Sequence, residues 1–246
     1  MFSIKQTMKS KIHEYLLKKI ISINKKSFSK ILLALLSITQ FSCAQQTETN
    51  TKAMYEKVKF ESEQKNPNAT IDTATFGMGC FWCSEAIFLQ LTGVQSVTSG
   101  YSGGQVANPT YKEVCSGLTG HAEVVQVAYN PSVVSYDELL HAFWLAHDPT
   151  TLNRQGADAG TQYRSVIFYH NDFQKSLAEK YKKELDASGA FSAPIVTEIS
   201  VFKAFYKAEN YHQDYYNLNG SAPYCQIVIA PKVEKFRKVF EGKLKQ

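Results

Sequence analysis

The sequence has 246 residues, of which 44% are hydrophobic, and a formal charge of +5. This length fits one sizeable domain with a tail, and the composition is that of a folded protein. Residues 1–42 hold eight lysines and one glutamate, a net of +7, which leaves 19 basic and 21 acidic residues, a net of −2, in the rest of the chain. Because a nucleic-acid-binding domain carries its basic excess on the folded part, we expect no nucleic-acid partner.

Residues 1–42 have the pattern of an export leader. Lysines precede the apolar run 31–38, which is well short of the ~20 residues needed to span a bilayer, and Cys43 follows soon after it. A short apolar run that ends in a single cysteine resembles a bacterial lipoprotein signal, which implies lipid on Cys43. We therefore expect an exported protein, periplasmic or membrane-anchored, that contacts the membrane only through this lipid. A cytoplasmic protein is the alternative.

Residues 43–70 are mostly polar and predict a flexible linker, and residues 71–246 have the pattern of a folded catalytic domain. Ser135 and Glu138 predict a capping box at a helix start. In chain order, we predict a strand over 73–78, a helix over 83–91, strands over 94–101 and 121–129, a helix after 135, a strand over 164–170, a helix over 172–188 and a strand over 195–201. This order indicates an α+β fold, a ferredoxin-like split βαβ sandwich with helices packed on one mixed sheet.

The segment Phe76-Gly-Met-Gly-Cys-Phe-Trp-Cys-Ser-Glu85 contains the strongest candidate nucleophile. Its glycines allow a sharp turn out of a strand, which places Cys80 at a helix start. Unpaired N–H groups and the positive end of the helix dipole favour the thiolate there, and the thiolate is the form that attacks. A buried structural cysteine is the alternative.

Cys80 and Cys83 also form a C-x-x-C motif, which is typical of thioredoxin-like redox pairs or of half a metal site. Because no second C-x-x-C accompanies it, we expect no metal. Thiol–disulfide exchange through these two cysteines stays open as a second function. A non-enzymatic surface lipoprotein is a third, which only the leader suggests.

Several further motifs follow in a fixed order along the chain. They are Gly79-Cys-Phe-Trp82, Gly100-Tyr-Ser-Gly-Gly104, Asn108-Pro-Thr-Tyr-Lys-Glu-Val-Cys-Ser-Gly117, Thr119-Gly-His-Ala-Glu123, Arg154-Gln-Gly156 and Gly160-Thr-Gln-Tyr-Arg-Ser165. Together, from about residue 73 to residue 240, they resemble the A-type peptide methionine sulfoxide reductases. The resemblance implies reduction of methionine S-sulfoxide, free or in oxidised proteins, to methionine.

The resemblance also implies roles for two residues at the reacting atoms. Cys80 matches the cysteine that attacks the sulfoxide sulfur. Glu123 matches the residue that supplies a proton to the departing oxygen. Its apolar neighbours predict burial, which favours the neutral acid, whereas a solvent-facing position on an alternating strand is the alternative.

Further residues match the family's substrate pocket. Tyr111 and Tyr163 match two tyrosines whose hydroxyls donate to the sulfoxide oxygen, and Asp158 matches an aspartate near the same pocket. Phe81 and Trp82 match the aromatic residues around the S-methyl group. Ordinary core packing of the aromatic residues and loop capping by the aspartate are the alternatives.

After its attack, Cys80 is a sulfenic acid that a second thiol converts to a disulfide. Cys225 is preferred as this resolving residue, because family members with one tail cysteine keep it there, and Cys83, one helical turn from the nucleophile, is the alternative. Cys115 is expected to be structural, and His212 to support the site rather than to catalyse. We expect no bound cofactor, and thioredoxin or a similar dithiol protein as the reductant.

Overall fold

The structure is a computed structural model that describes residues 71–246. The predicted leader, the linker and Cys43 lie outside the described residues. Within residues 71–246, no helix has both the length and the apolar character that are needed to cross a membrane.

Strands and helices alternate along most of the described chain. They are β1 (Asp72–Met78), α1 (Phe81–Phe88), β2 (Val94–Ser102), α2 (Tyr111–Cys115), β3 (Ala122–Tyr129), α3 (Tyr136–Ala146), β4 (Arg154–Gln155), β5 (Asp158–Ala159), β6 (Ser165–Tyr169), α4 (Asp172–Ser188), β7 (Glu198–Val201), β8 (Phe205–Lys207), α5 (Tyr215–Leu218) and α6 (Ala230–Val239). Short 3-10 turns cover Thr161–Tyr163 and Asn210–His212, and a π-helical turn, Cys225–Ile229, leads into α6.

Six of these strands form one sheet in the order β7-β6-β1-β3-β2-β8. The neighbours β1–β3, β1–β6, β2–β3 and β2–β8 pair antiparallel, and β6–β7 pair parallel, so the sheet is mixed. The four central strands and the crossover helices α1 and α3 give the connectivity β-α-β-β-α-β, with β3 between β1 and β2. The predicted α+β, ferredoxin-like arrangement is therefore confirmed.

The predicted elements agree with the structure except near their ends. The capping box is present, because the Ser135 hydroxyl accepts from the Glu138 N–H at 3.1 Å and the Glu138 carboxylate accepts from the Ser135 N–H at 2.9 Å. Helix α1 begins at residue 81, two residues before its predicted start at residue 83. Strand β7 begins at residue 198, three residues after its predicted start at residue 195. The hairpin β4–β5 and the edge strand β8 have only two or three residues each, too few for a periodic pattern.

The core lies between the sheet and the helices α1 and α3. Phe76 on β1 packs against Phe88 on α1 and Phe143 on α3, with ring centroids 5.2 and 5.4 Å apart, and all three side chains are fully buried. Truncation of a buried Phe to Ala typically costs about 3–5 kcal/mol. Since β1 runs directly into α1, this packing also fixes the turn that carries Cys80.

Candidate active site

A strand-to-helix turn carries the candidate nucleophile. Gly79 has φ 93°, a conformation that side-chain-bearing residues rarely adopt, and Cys80 is the N-cap of α1. A Cβ on Gly79 would lie 2.6 Å from the Cβ of Gln155. Glycine is therefore required at this position, as the sequence predicted, and the turn delivers Cys80 to the helix start.

Cys80 is 8% exposed, and its surroundings favour the thiol. Its side chain makes no capping hydrogen bond, and the N–H of Phe81 donates to the Glu123 carboxylate at 3.0 Å instead. A hydrogen bond with Cys83, burial and the negative charge of Glu123 together raise the pKa of the Cys80 thiol well above its ordinary value. The prediction that the helix start favours the Cys80 thiolate is wrong for this structure, because the Cys80 thiol donates to Cys83, burial opposes the charge, and the Glu123 carboxyl group accepts the helix N–H.

Glu123 is a buried acid on β3. The side chain is 1% exposed, and its residue pairs with Tyr101 on β2. Burial is the largest of several effects that together raise the pKa of Glu123 to about 8: the charges of Asp158 and Cys83 act in the same direction as burial, and the Phe81 N–H opposes them. At neutral pH the carboxyl therefore holds a proton, in agreement with the burial argument from the sequence.

Cys83 lies one helical turn after Cys80 in a different electrostatic environment. The Cys80 thiol donates a hydrogen bond to the Cys83 sulfur, which lowers the pKa of Cys83 to about 7 although burial opposes the shift. Lys232 and Tyr224 lower this pKa too, and the Nζ of Lys232 lies 3.9 Å from the Cys83 Sγ. Because they share a hydrogen bond, the two thiols titrate as a pair.

The four cysteines within residues 71–246 are all free, and Cys225 is fully buried in the π-helical turn. Burial and then the charge of Cys83 raise the pKa of Cys225. Cys80, in contrast, interacts with Cys83, Glu123 and Tyr224. The structure thus brings Cys83, the sequence's alternative resolving residue, into contact with Cys80, and brings Cys225 near Cys83.

Two tyrosines face the buried acid. Tyr111 begins α2 and Tyr163 ends a 3-10 turn. Burial is the largest cause of the raised pKa of both hydroxyls, and the charge of Glu123 contributes to both. Tyr111 also has a hydrogen bond with the exposed Cys115, and the charge of Cys80 acts on Tyr163. Both phenols therefore keep their protons and are available as donors beside the acid and the nucleophile.

Asp158 on β5 contacts Tyr224, a residue to which no sequence motif assigned a role. Its Oδ2 accepts a hydrogen bond of 2.8 Å from the Tyr224 hydroxyl, which also lies within hydrogen-bonding reach of the Cys80 sulfur. Burial and the nearby thiols raise the pKa of Tyr224. Sequence reasoning missed Tyr224, and only its position directly before Cys225 could have drawn attention to it.

The two aromatic residues after Cys80 have different surroundings. Phe81 is 1% exposed and packs against Tyr101 and His212, so that it belongs to the core. Trp82 is half-buried and stacks on Tyr215, with ring centroids 3.7 Å apart. Its indole N–H donates to the His212 Nδ1 at 3.2 Å, so His212 supports the aromatic wall, as expected. Trp82 is the better candidate for contact with a substrate methyl group.

Glu209 connects this wall to the tyrosines. Its carboxylate accepts from the Tyr101 hydroxyl and from the Tyr111 N–H, both at 2.9 Å, and lies 3.9 Å from the His212 Nε2. No group of three or more His, Cys, Asp or Glu side chains within the described residues is arranged to hold a metal ion. Paired thiols, a protonated carboxyl group and phenol donors define the site of a thiol-dependent oxidoreductase.

Comparison with known proteins shows which family of thiol-dependent oxidoreductases the chain resembles. The sequence model of the family "Peptide methionine sulfoxide reductase" matches residues 72–244. Peptide methionine sulfoxide reductase MsrA of Natronomonas pharaonis is 55% identical over 172 residues, which are 70% of this chain and 97% of that protein. The corresponding protein of Saccharolobus solfataricus is 52% identical over 175 residues, 71% of this chain and 98% of its own.

Two solved structures agree with these relatives. The reduced form of Mxr1 from Saccharomyces cerevisiae has a TM-score of 0.60 and 38% identity, and the match covers 65% of this chain and 92% of that chain. Methionine sulfoxide reductase A of Corynebacterium diphtheriae has a TM-score of 0.56 and 36% identity over 65% and 80% of the two chains. The chain belongs to the A-type peptide methionine sulfoxide reductases. It is an oxidoreductase that reduces methionine sulfoxide and repairs oxidised proteins.

Proposed function

We propose that the protein reduces the S epimer of methionine sulfoxide through a cysteine thiolate, a sulfenic acid and a disulfide, which a thioredoxin-like dithiol protein then reduces. The observation that carries the proposal is a buried carboxyl group, Glu123, that holds its proton at neutral pH next to Cys80. Sulfoxide reduction requires a proton for the oxygen, whereas simple disulfide exchange does not. Every group in the scheme belongs to the protein, the substrate or the reductant, and no cofactor takes part.

The first step transfers oxygen from the substrate to the enzyme. The Cys80 sulfur attacks the sulfoxide sulfur while Glu123 protonates the oxygen, and the Tyr111 and Tyr163 hydroxyls donate to that oxygen. The oxygen then passes to the Cys80 sulfur: an S–O bond forms on Cys80 while the substrate's S–O bond and the transient S–S bond break. Methionine leaves as the thioether, and Cys80 becomes a sulfenic acid. Trp82 is proposed to pack against the methyl group that flanks the reacting sulfur.

The second step forms a disulfide. We assign Cys83 as the first resolving thiol, because its sulfur is hydrogen-bonded to that of Cys80. Cys83 attacks the sulfenic acid and water leaves. Cys225, whose thiol is within electrostatic range of Cys83, then takes over the bond by thiol–disulfide exchange, which returns Cys80 to its thiol form. The reductant acts on the disulfide that results.

Two experiments test this scheme. With dithiothreitol as reductant, the purified protein is expected to reduce the S epimer of a blocked methionine sulfoxide and to leave the R epimer almost unchanged, since separate enzymes serve the two epimers. Equal rates on both epimers would contradict the assignment. In a single turnover without reductant, Cys225→Ser is expected to accumulate a Cys80–Cys83 disulfide, identified by peptide mass spectrometry. Accumulation of Cys80 sulfenic acid in this variant would make Cys225 the resolving residue instead.

General thiol–disulfide exchange is the second candidate function, because Cys80 and Cys83 form a hydrogen-bonded thiol pair in a C-x-x-C motif. This function makes no use of Glu123 or of the two tyrosines. A comparison of sulfoxide reduction with reduction of a small disulfide, in the same variants, separates the two functions.

We also propose that residues 1–42 direct export and that Cys43 carries lipid. The support is the lysine-flanked apolar run followed by a single cysteine. Fractionation of the native host is expected to find the protein in the membrane fraction, and Cys43→Ala is expected to release it. Recovery of the full-length, unlipidated chain from the cytosol would refute this proposal.

A further inference from the structure

Lys232 is the basic residue of α6 that approaches the thiols. Its Nζ lies 3.9 Å from the Cys83 Sγ, and the residue is half-buried. Arg237 and Lys238 on the same helix are exposed. Lys232 therefore differs from these neighbours, which are ordinary solvated charges on a surface helix.

The local structure around Lys232 places this residue near Cys83. The π-helical turn that holds the buried Cys225 leads directly into α6, and Pro231 occupies the first turn of that helix. Proline is well suited there, because the first turn does not need its N–H. Single π-helical turns are frequently found at functional sites. Cys83 is thus approached by the Cys80 thiol from its own helix and by Lys232 and Cys225 from this segment.

Burial alone would keep Cys83 protonated. Its side chain is 3% exposed, and an isolated charge is strongly disfavoured in such a place. The hydrogen bond from the Cys80 thiol is the largest effect that opposes burial, and an ammonium group 3.9 Å from the sulfur adds to it by supplying the opposite charge. The Cys80 thiol, Lys232 and the Tyr224 hydroxyl all stabilise negative charge on the Cys83 sulfur, whereas burial and Asp158 oppose it, and the pKa of Cys83 is lowered to about 7.

We propose that Lys232 is a positioning residue of the resolving step: its ammonium group holds Cys83 as a thiolate beside Cys80, ready to attack the sulfenic acid. The inference rests on the proposed function. In this step the Cys83 thiolate forms a bond to the Cys80 sulfur, the S–O bond of the sulfenic acid breaks, and hydroxide leaves with a proton from solvent as water. Cys83 is oxidised and Cys80 is reduced, and both become part of the disulfide.

The test is a single turnover of the full chain, without reductant, at a series of pH values from 6 to 9.5. Methionine release reports the first step, dimedone labelling reports the Cys80 sulfenic acid, and mass spectrometry reports the disulfide. Lys232→Met and Lys232→Gln remove the charge, Lys232→Arg keeps it, and Lys238→Met is the control on the same helix. Circular dichroism of each variant shows which of them are folded.

At pH 6, loss of the charge is expected to slow disulfide formation about five- to tenfold, because fewer Cys83 side chains are ionised. A thiolate of higher pKa is the better nucleophile, which offsets part of this loss. By pH 9.5 the variants are expected to match or exceed the unsubstituted protein, so that the two pH profiles cross. Each variant is expected to release one methionine per enzyme. Lys232→Arg and Lys238→Met are expected to keep the original profile.

Two results would overturn the role of Lys232. One is disulfide formation at pH 6 as fast in Lys232→Gln as in the unsubstituted protein. The other is a loss of equal size at all pH values, which indicates that Lys232 only supports the fold. A failure of the unsubstituted protein to release methionine in the first turnover is a different result, because it rejects the proposed function itself.

Discussion

Cys80 lies beside Glu123 of the sheet, whereas Cys83, three residues further along α1, lies beside Lys232 of the C-terminal helix. On the sheet side, the hydrogen bond with Cys83, burial and the charge of Glu123 raise the pKa of the Cys80 thiol, and burial raises the pKa of Glu123. On the C-terminal side, an ammonium group and the neighbouring thiol lower the pKa of Cys83 to about 7. The pKa values of two buried thiols thus shift in opposite directions, chiefly because Cys80 donates and Cys83 accepts the hydrogen bond between them; the charges of Glu123 and Lys232 add to the difference.

This difference matches the two halves of the proposed reaction. Breaking the S–O bond of the substrate requires a proton, and the sheet side stores one on Glu123. Resolving the sulfenic acid requires a thiolate, and the C-terminal side stabilises one on Cys83. A protonated Glu123 also places no negative charge beside Cys80, and so opposes the Cys80 thiolate less than an ionised Glu123 does.

The largest expected effect comes from removing each thiol in turn. Cys80→Ser is expected to abolish methionine release, because a hydroxyl is not ionised at neutral pH and lacks the nucleophilicity of sulfur. Cys83→Ser is expected to release one methionine per enzyme and then to retain the sulfenic acid unless an external thiol reduces it. Measurement of the methionine released without reductant distinguishes the two variants. Similar release from both would mean that the two thiols do not have separate roles.

Glu123→Gln is expected to lower the rate of sulfoxide reduction by ~10²–10⁴-fold, the typical contribution of a general acid. Reduction of a small disulfide by the same variant is expected to change much less, since a thiolate leaves without a proton. Both rates are measured with the same enzyme preparation. A small and equal loss in the two assays would show that Glu123 only supports the fold, and general disulfide exchange would then be the better function.

The pH dependence of stability gives a second view of Glu123. The folded-state pKa is about 8, above the unfolded value near ~4.3, so the folded protein binds the additional proton between these values. This contribution to the free energy of unfolding is therefore present at low pH and is lost as the pH rises towards 8. Relative to the unsubstituted protein, Glu123→Gln is expected to gain up to a few kcal/mol between pH 5 and pH 8, measured by urea unfolding. A constant difference across this range would contradict the raised pKa.

The turn that holds Cys80 is expected to show a smaller effect. Gly79→Ala introduces a strained φ, which costs about 1–3 kcal/mol, and a clash with Gln155. Gly156→Ala is the matched control, because Gly156 also has a positive φ, 60°, but nothing lies within 4 Å of the added Cβ. Thermal unfolding is expected to show a larger loss for Gly79→Ala. Equal losses would mean that the close approach to Gln155 does not constrain the turn.

The sequence predicted the sheet side of the site better than the C-terminal side. Cys80 and Glu123 lie in local patterns, a glycine turn and an apolar strand, whose consequences follow from neighbours in the chain. Lys232 and Tyr224 meet the thiols only after folding, across more than 140 residues, and no local pattern marks them. The expectation of a Cys80 thiolate was wrong for the same reason. The sequence indicates the helix start, but it does not show that Glu123, 42 residues from Phe81 in the chain, accepts the Phe81 N–H there.

The protonation state of Glu123 tests the central claim most directly. The carboxyl group of a protonated glutamate has an infrared band that the ionised form lacks, and the difference spectrum between the unsubstituted protein and Glu123→Gln isolates it. We expect this band to be present at pH 6 and 7 and to disappear around pH 8, because burial raises the pKa of Glu123. A Glu123 that is already ionised at pH 6 would contradict the account, because the site would then hold no proton for the sulfoxide oxygen.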